Sequence, residues 1–299
     1  MDQPPPAHTP VMSTEVVALL DATRGGLFVD CTVGAGGHAQ ALLAGGAERV
    51  LGLDRDATAL AAASGTLAPW AGRVDLVHAD FRRLDDVLDA RGITTVDGAL
   101  ADLGVSSLQL DGVGRGFSFR WDEPLDMRMD QSTGETAADV LRDASETTLA
   151  DIIYKYGEDR HARRIARALV AGRQREPVTS TGQLAALVRR AVPRRGRPRI
   201  DPATRTFQAL RIWVNRELEG LDDFLTTLCR RLKADARLAV LTFHSLEDRI
   251  VKHTLRGMER HRQWTVRVLT KRPMRPTADE VALNRRARSA KLRAAERIA

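Results

Sequence analysis

Four aspartates are the residues best suited to do chemistry in this sequence. Asp30, Asp54, Asp80 and Asp102 each stand at or near the end of a short apolar run: LFVDC, RVLGLD, VDLVHAD and VDGALADL. A glycine-rich turn, Gly34-Ala35-Gly36-Gly37-His38, follows the first run, and Asp54 comes 20 residues after Gly34. Glycines let a backbone approach a ligand closely, and a helix opening on them presents N–H groups to it. An acid after the second run can accept hydrogen bonds from ribose hydroxyls. The layout is that of a nucleotide-type cofactor site.

Gly34 to Ala39 fits G-x-G-x-x-G/A, which taken alone suits a dinucleotide, S-adenosylmethionine or a tight structural turn. Three features favour S-adenosylmethionine. Asp30 lies just ahead of the glycines, where a carboxylate is unhelpful to a pyrophosphate but can hold an ammonium or a water. Asp80-Phe81 supplies an acid and an aromatic to flank an adenine. Asp102 ends the fourth run, where a reacting group would sit. A dehydrogenase would also continue in regular strand–helix units, and this chain does not.

The elements that position these residues follow from periodicity. Strands are expected at 27–31, 49–54, 74–80 and 96–103, alternating with helices at 36–43, 57–66 and 82–90, after a short helix at 15–22. Such alternation predicts an α/β fold with a parallel sheet, whose right-handed crossovers bring the strand-end turns to one edge. Residues 104–134 are rich in Gly, Asp and Ser and read as a long loop. Helical pieces follow at 136–143, 147–156, 158–172 and 180–191, then a basic breaker-rich loop, PRRGRPRID, at 193–201. Residues 202–232 read as one long helix. A strand at 236–243, a helix at 246–258 and a strand at 264–270 resume the sheet. KLRAAERI, at 291–298, has the propensity of a helix but can equally supply a closing strand. The simplest organisation is a cofactor domain, 1–110 with 211–299, interrupted by an inserted helical domain at 111–210.

Charge is unevenly placed. The net +7 divides into −7 over residues 1–110, +5 over 111–211 and +9 over 212–299. An acidic cofactor part and a basic remainder suit a polyanionic partner. Two cysteines, Cys31 and Cys229, exclude a disulfide scaffold and read as buried apolar residues. No leader segment is recognisable and no apolar run nears the ~18 residues of a membrane span, so the cytoplasm is the expected location. No Cys/His spacing suggests a metal site.

Methyl transfer is an in-line displacement in which a protein mainly positions the reactants. A pyrimidine carbon target would require a nucleophilic cysteine, and neither cysteine is placed for it, which leaves a nitrogen or oxygen target. For an exocyclic amine, Asp102 or the carbonyls of Leu103 to Ser106 are the candidate acceptors. The sequence there, DLGVSS, lacks the Pro-Pro-aromatic signature of DNA amino-methyltransferases. In the loop at 115–130, Arg115, Arg120 and Arg128 interleave with Phe117, Phe119 and Trp121, suiting either RNA contact or a hydrophobic plug. Arg160, Arg163, Arg164 and Arg167 recur at helical spacing, as a solvated face or an RNA contact. His244 and Ser245 follow a strand at the same edge as Asp102. Ser245 with Asp248 fits a helix N-cap pattern, and no third partner supports a hydrolase triad.

Taken together, HTPVM (8–12), GAGGH (34–38), LDRD (53–56), DLGVSSLQLD (102–111), RGFSF (115–119), PLDMRMD (124–130), YGEDR (156–160), ATRTFQALRIWVNREL (203–218) and FHSLEDRIVK (243–252) resemble the bacterial 16S ribosomal RNA cytosine-N4 methyltransferase family, the RsmH or MraW type. The resemblance runs through nearly the whole chain. It implies a class I, Rossmann-like methyltransferase sheet with an inserted helical substrate domain, S-adenosyl-L-methionine as cofactor, and a decoding-centre cytidine of 16S ribosomal RNA within the small ribosomal subunit as target. By motif it places Gly36, Gly37, His38, Asp54, Phe81, Asp102 and Gln109 around the cofactor, with Asp102 also the catalytic candidate. A homodimer is compatible with it. The competing expectations are a nicotinamide-dependent oxidoreductase and a non-catalytic ribosome assembly factor.

Overall fold

A computed structural model describes residues 10–193, 200–260 and 266–298. The chain forms two compact units, one running to Gly104 and resuming at Gly220, the other spanning Val105–Glu219. The expected boundaries at 110/111 and 210/211 fall within helices.

The first unit alternates as α1 (Ser13–Leu20), β1 (Leu27–Asp30), α2 (Gly37–Ala44), β2 (Arg49–Asp54), α3 (Ala57–Thr66), β3 (Val74–His78), α4 (Leu84–Asp89) and β4 (Val96–Asp102). The second contains α5 (Ser107–Asp111), α6 (Ala137–Asp143), α7 (Glu146–Gly157), α8 (Ala162–Arg173), α9 (Thr181–Ala191) and α10 (Ala203–Asn215). The first unit then resumes with α11 (Leu221–Arg231), β5 (Leu232–Thr242), α12 (Ser245–Arg260), β6 (Val266–Val268), α13 (Ala278–Leu283) and β7 (Lys291–Arg297).

One seven-stranded sheet runs through the first unit in the order β3-β2-β1-β4-β5-β7-β6. Strands β1 to β5 pair in parallel, and β7 is antiparallel to both β5 and β6. This is the mixed sheet of the α/β fold expected, with its parallel strands followed by an antiparallel closing strand. The parallel strands are apolar because both their faces are covered. Val29, Leu51, Ala99 and Leu238 pack on one face, Phe28, Val50, Leu100 and Ala239 on the other. The chain leaves β1 toward β2 and β3, and leaves β4 toward β5, so the order reverses between β1 and β4. Ligands of open α/β sheets bind in the crevice outside the strand C-termini at such a reversal, and Asp30 and Asp102 are the last residues of β1 and β4.

The closing segment is a strand: β7 slots between β5 and β6. Its Leu292, Ala294 and Ala295 are buried, while its charges are met by fixed partners. Asp248 of α12 accepts from Arg293 at 2.7 Å and Lys291 at 3.2 Å, and Glu296 pairs with Arg237 and Arg267. Pairing across the sheet thus overrides the helical propensity of Ala and Glu.

The region 202–232 is two helices, correcting the single helix expected. Arg216 and Gly220 both take left-handed backbone conformations, φ 50° and 65°, between α10 and α11. The expected loop at 104–134 also contains α5. In the second unit α6 to α10 enclose their own core, with Leu141, Ile153, Ile165, Leu184 and Leu210 at its centre. Its helices open on Thr136, Ser145 and Ser180, whose hydroxyls each accept a backbone N–H of the first turn, the usual remedy for unpaired helix-start donors. No strand forms here among the described residues, apart from an isolated Pro124–Ser180 bridge.

Candidate active site at the β1–β4 edge

Asp30 is 1% exposed. Its Oδ1 accepts the backbone N–H of Thr32 at 3.1 Å, and its Oδ2 is buried with no hydrogen-bond partner. Thr32 reaches across to β4, where its Oγ1 accepts the Asp102 backbone N–H at 2.6 Å. One threonine therefore ties together the strand ends that carry the two carboxylates. Sequence reading missed it, since nothing in its spacing marks it.

The turn that follows brings His38 to the same place. Gly36 takes φ 88°, a left-handed conformation costly for any residue with a Cβ, and it sets the entry to α2. His38, in the first turn of α2, is buried, and neither ring nitrogen has a hydrogen-bond partner. Its Nε2 lies 3.6 Å from Asp102 Oδ2, an ion pair only if the ring is protonated. Asp102 Oδ1 is likewise buried and open.

Asp54 closes the turn from β2. Its Oδ2 accepts the Gly34 N–H at 2.8 Å and its Oδ1 the Asp56 N–H at 2.9 Å, leaving further lone pairs for a ligand. Burial holds its carboxyl above the usual range, against those two N–H groups. Asp56 is itself buried and caps α3 through Thr58.

Asp80 follows β3 and accepts the Arg82 N–H at 3.0 Å. Burial would raise its carboxyl, but hydrogen bonds from Arg82 prevail and hold it low. Arg82 grips both Asp80 oxygens, at 2.7 and 2.5 Å. Phe81 packs on Phe224, with centroids 4.5 Å apart. Gln109 lies in the second unit, where it is buried and forms a reciprocal capping box with Ser106 at the start of α5. Of the expected cofactor residues, Gly36, Gly37, His38, Asp54, Phe81 and Asp102 thus belong to the first unit and Gln109 to the second.

Burial drives the electrostatics of the edge. It raises the Asp30 carboxyl to about 7, opposed by the attraction of His38 and the Thr32 N–H and assisted by repulsion from Asp102 and Asp54. The folded protein therefore holds a proton on Asp30 that the unfolded chain releases near pH 4. Between those limits the native state binds the extra proton, so this group's contribution to stability is full below about pH 4 and is lost as pH rises through about 7. Asp30→Asn is expected to remove that slope, read as urea midpoints at several pH values. An unchanged slope would mean that Asp30 does not carry the buried proton.

Both cysteines are buried. Burial pushes the Cys31 thiol well above its ordinary range and that of Cys229 up to about 12. Neither is poised as a thiolate nucleophile. At the end of β5, Glu247 holds the backbone that enters α12. Glu247 Oε2 accepts the N–H groups of Phe243 and His244 at 3.0 and 3.4 Å, and its Oε1 lies 3.0 Å from His244 Nε2.

The open atoms, two carboxylate oxygens and an imidazole beside a glycine turn, form an acceptor set for a cationic, hydrogen-bonding ligand. They suit the ammonium and sulfonium of S-adenosylmethionine, and would repel a pyrophosphate. Comparison with known proteins agrees. Residues 6–298 match the model of the MraW methylase family. The chain belongs to that family. A protein of Nitrobacter winogradskyi named ribosomal RNA small subunit methyltransferase H is 52% identical to it, over 99% of this chain and 92% of that protein. Its namesakes from Bradyrhizobium diazoefficiens and Thiobacillus denitrificans are 53% and 50% identical, over 97% and 98% of this chain and 91% and 98% of their own lengths. The remaining expectations concern the second unit.

That unit resolves the loop at 115–130. Phe117 is buried, Phe119 stacks edge-on against Phe207 at 4.8 Å, and Arg128 pairs with Asp126 at 2.8 Å. Arg115 is buried against the carbonyls of Arg128 and Met129. These residues plug the fold, while Arg120 and Trp121 remain outside it. On α8, Arg163, Arg164 and Arg167 are exposed, opposite a buried face of Ala162, Ile165, Ala166 and Leu169. No described helix is long and apolar enough to cross a membrane.

Proposed function

We propose that this protein is an S-adenosylmethionine-dependent methyltransferase that modifies the exocyclic N4 of a cytidine in the decoding centre of small-subunit ribosomal RNA. The observation that carries the reading is the pair of buried, open carboxylate oxygens, Asp30 Oδ2 and Asp102 Oδ1, flanking His38 where the strand order reverses. Family membership and the name shared by the relatives support the RNA class.

S-adenosylmethionine supplies an electrophilic methyl group on a sulfonium. Asp30 and His38 take its methionine end, Asp54 accepts from the ribose hydroxyls, and Gly36 and Gly37 give the backbone close approach. Phe81 offers an aromatic edge to the adenine. Asp102 Oδ1 accepts a hydrogen bond from the target amine, which frees the nitrogen lone pair from the ring and gives its proton a place to go. No cysteine adduct is needed, in keeping with two thiols held protonated. The second unit recognises the RNA. Cytoplasmic action follows from such a substrate.

The exposed α8 arginines are placed to meet phosphates. Replacing Arg163, Arg164 and Arg167 together by Ala is expected to weaken RNA binding and flatten its log–log salt dependence by about 2, with donor affinity unchanged. An unchanged slope would remove α8 from the interface. Arg195 and Arg197, in the basic loop at 193–201, lie outside the described residues.

The reading is tested by incubating the protein with methyl-labelled donor and purified ribosomal subunits. Label is expected in small-subunit RNA and not in large-subunit RNA. Donor binding without any transfer would instead favour an assembly factor, and NAD binding without S-adenosylmethionine binding an oxidoreductase.

A further inference from the structure

Trp121 is 79% exposed, yet the segment presenting it is firmly built. The Trp121 carbonyl accepts the Thr181 hydroxyl at 2.9 Å, and Thr181 Oγ1 in turn accepts the Glu123 N–H at 3.1 Å. Two backbone bonds, Thr181 N–H to Glu123 O and Leu125 N–H to Thr179 O, both 2.9 Å, complete the clip. Thr181 is fully buried. The indole is thus held out by a fixed backbone, which removes much of the ordering cost of a contact.

Its surroundings favour a polyanion with unpaired bases. The preceding Arg120 is exposed, and its guanidinium has no acid partner among the described residues. Arg189, paired with Asp201 at 2.8 Å, lies over the ring of Phe119 at 5.5 Å, two residues before the indole. Both acids that follow are engaged: Asp122 accepts the Gly182 N–H at 2.8 Å and a hydrogen bond from Ser180, and Glu123 Oε2 accepts the Gly114 N–H at 2.8 Å. An open indole beside an open guanidinium matches a splayed nucleotide, with the base on the ring and the phosphate on the cation.

We propose that Trp121 is a stacking platform for an unpaired base of the substrate RNA, with Arg120 holding an adjacent phosphate. This rests on the RNA reading above and names a contact within it. The platform lies outside the cofactor turn, so it governs RNA affinity and not the chemical step.

The test compares wild-type protein with Trp121→Ala, Trp121→Phe and Arg120→Ala. Measured quantities are small-subunit affinity, KM and kcat, donor affinity and the association state. Trp121→Ala is expected to weaken subunit binding and raise KM by about 5- to 100-fold, with kcat and donor affinity unchanged. Trp121→Phe should restore most of the loss, and Arg120→Ala should reduce the salt slope by about 1. Subunit affinity within about twofold for Trp121→Ala, while the wild type binds well, would overturn the platform and leave the proposed function standing. No subunit binding by the wild type would overturn both. Loss of self-association in Trp121→Ala, with subunit affinity intact, would assign the indole to a second copy of the chain and overturn the platform as well.

Discussion

Asp102→Ala is expected to lower the methyl-transfer rate at saturating donor and RNA by about 10²- to 10³-fold, within the range of a lost general acid–base contact. The side chain ends β4, its backbone N–H is anchored on Thr32 Oγ1, and its Oδ1 is buried without a partner. A fixed, open acceptor of this kind is suited to a reacting group, because a buried polar atom left unpaired is costly unless a ligand completes it. Asp102 also faces His38, so donor affinity is expected to fall too, and saturating donor separates the two losses. Asp102→Asn keeps the shape but not the charge, and should recover donor binding more than rate. Single-turnover transfer and donor titration on both variants provide the check. A rate within about threefold of wild type would assign the acceptor role to the backbone carbonyls of Leu103 to Ser106.

The second large effect is at Asp54. Asp54→Ala is expected to weaken S-adenosylmethionine binding by roughly 30- to 1,000-fold, the loss of charge-assisted hydrogen bonds worth about 2–4 kcal/mol together. The same carboxylate holds the Gly34 and Asp56 N–H groups, so the alanine variant also loosens the turn by about 1–2 kcal/mol. Asp54→Asn keeps an acceptor for one of those N–H groups. It is expected to regain most of the stability and only part of the affinity. Calorimetric titration beside urea unfolding distinguishes the two contributions, and an alanine variant that binds the donor normally would remove Asp54 from the site.

Local sequence was enough wherever local chemistry decides the structure. β2 and α3 stand at the residues expected, 49–54 and 57–66, because a short apolar run and an Asp-capped alanine helix need no distant partner to be recognised. Where long-range pairing decides, the signal was absent. The residues 291–297 have helix-forming composition and become a strand because β5 and β6 flank them. The break between α10 and α11 had one visible mark, Gly220, while the left-handed Arg216 had none. Asp30 and Asp102 could be read as strand-end acids, but their open oxygens, and the threonine tying their strands, exist only once β1 and β4 are adjacent. Phe119 and Trp121 are two residues apart with the same composition around them, and only the fold turns one inward and the other out. The target atom was not legible in spacing at all; it came from the resemblance.

The atom modified reports directly on the chemistry of the Asp102 edge. Small-subunit RNA treated with the protein and donor, digested to nucleosides and separated by mass spectrometry, should yield N4-methylcytidine as the new species, and none with Asp102→Ala at matched times. A methyl group on the pyrimidine C5 or on a ribose hydroxyl would contradict an edge built from Asp30, His38 and Asp102 to serve an amine.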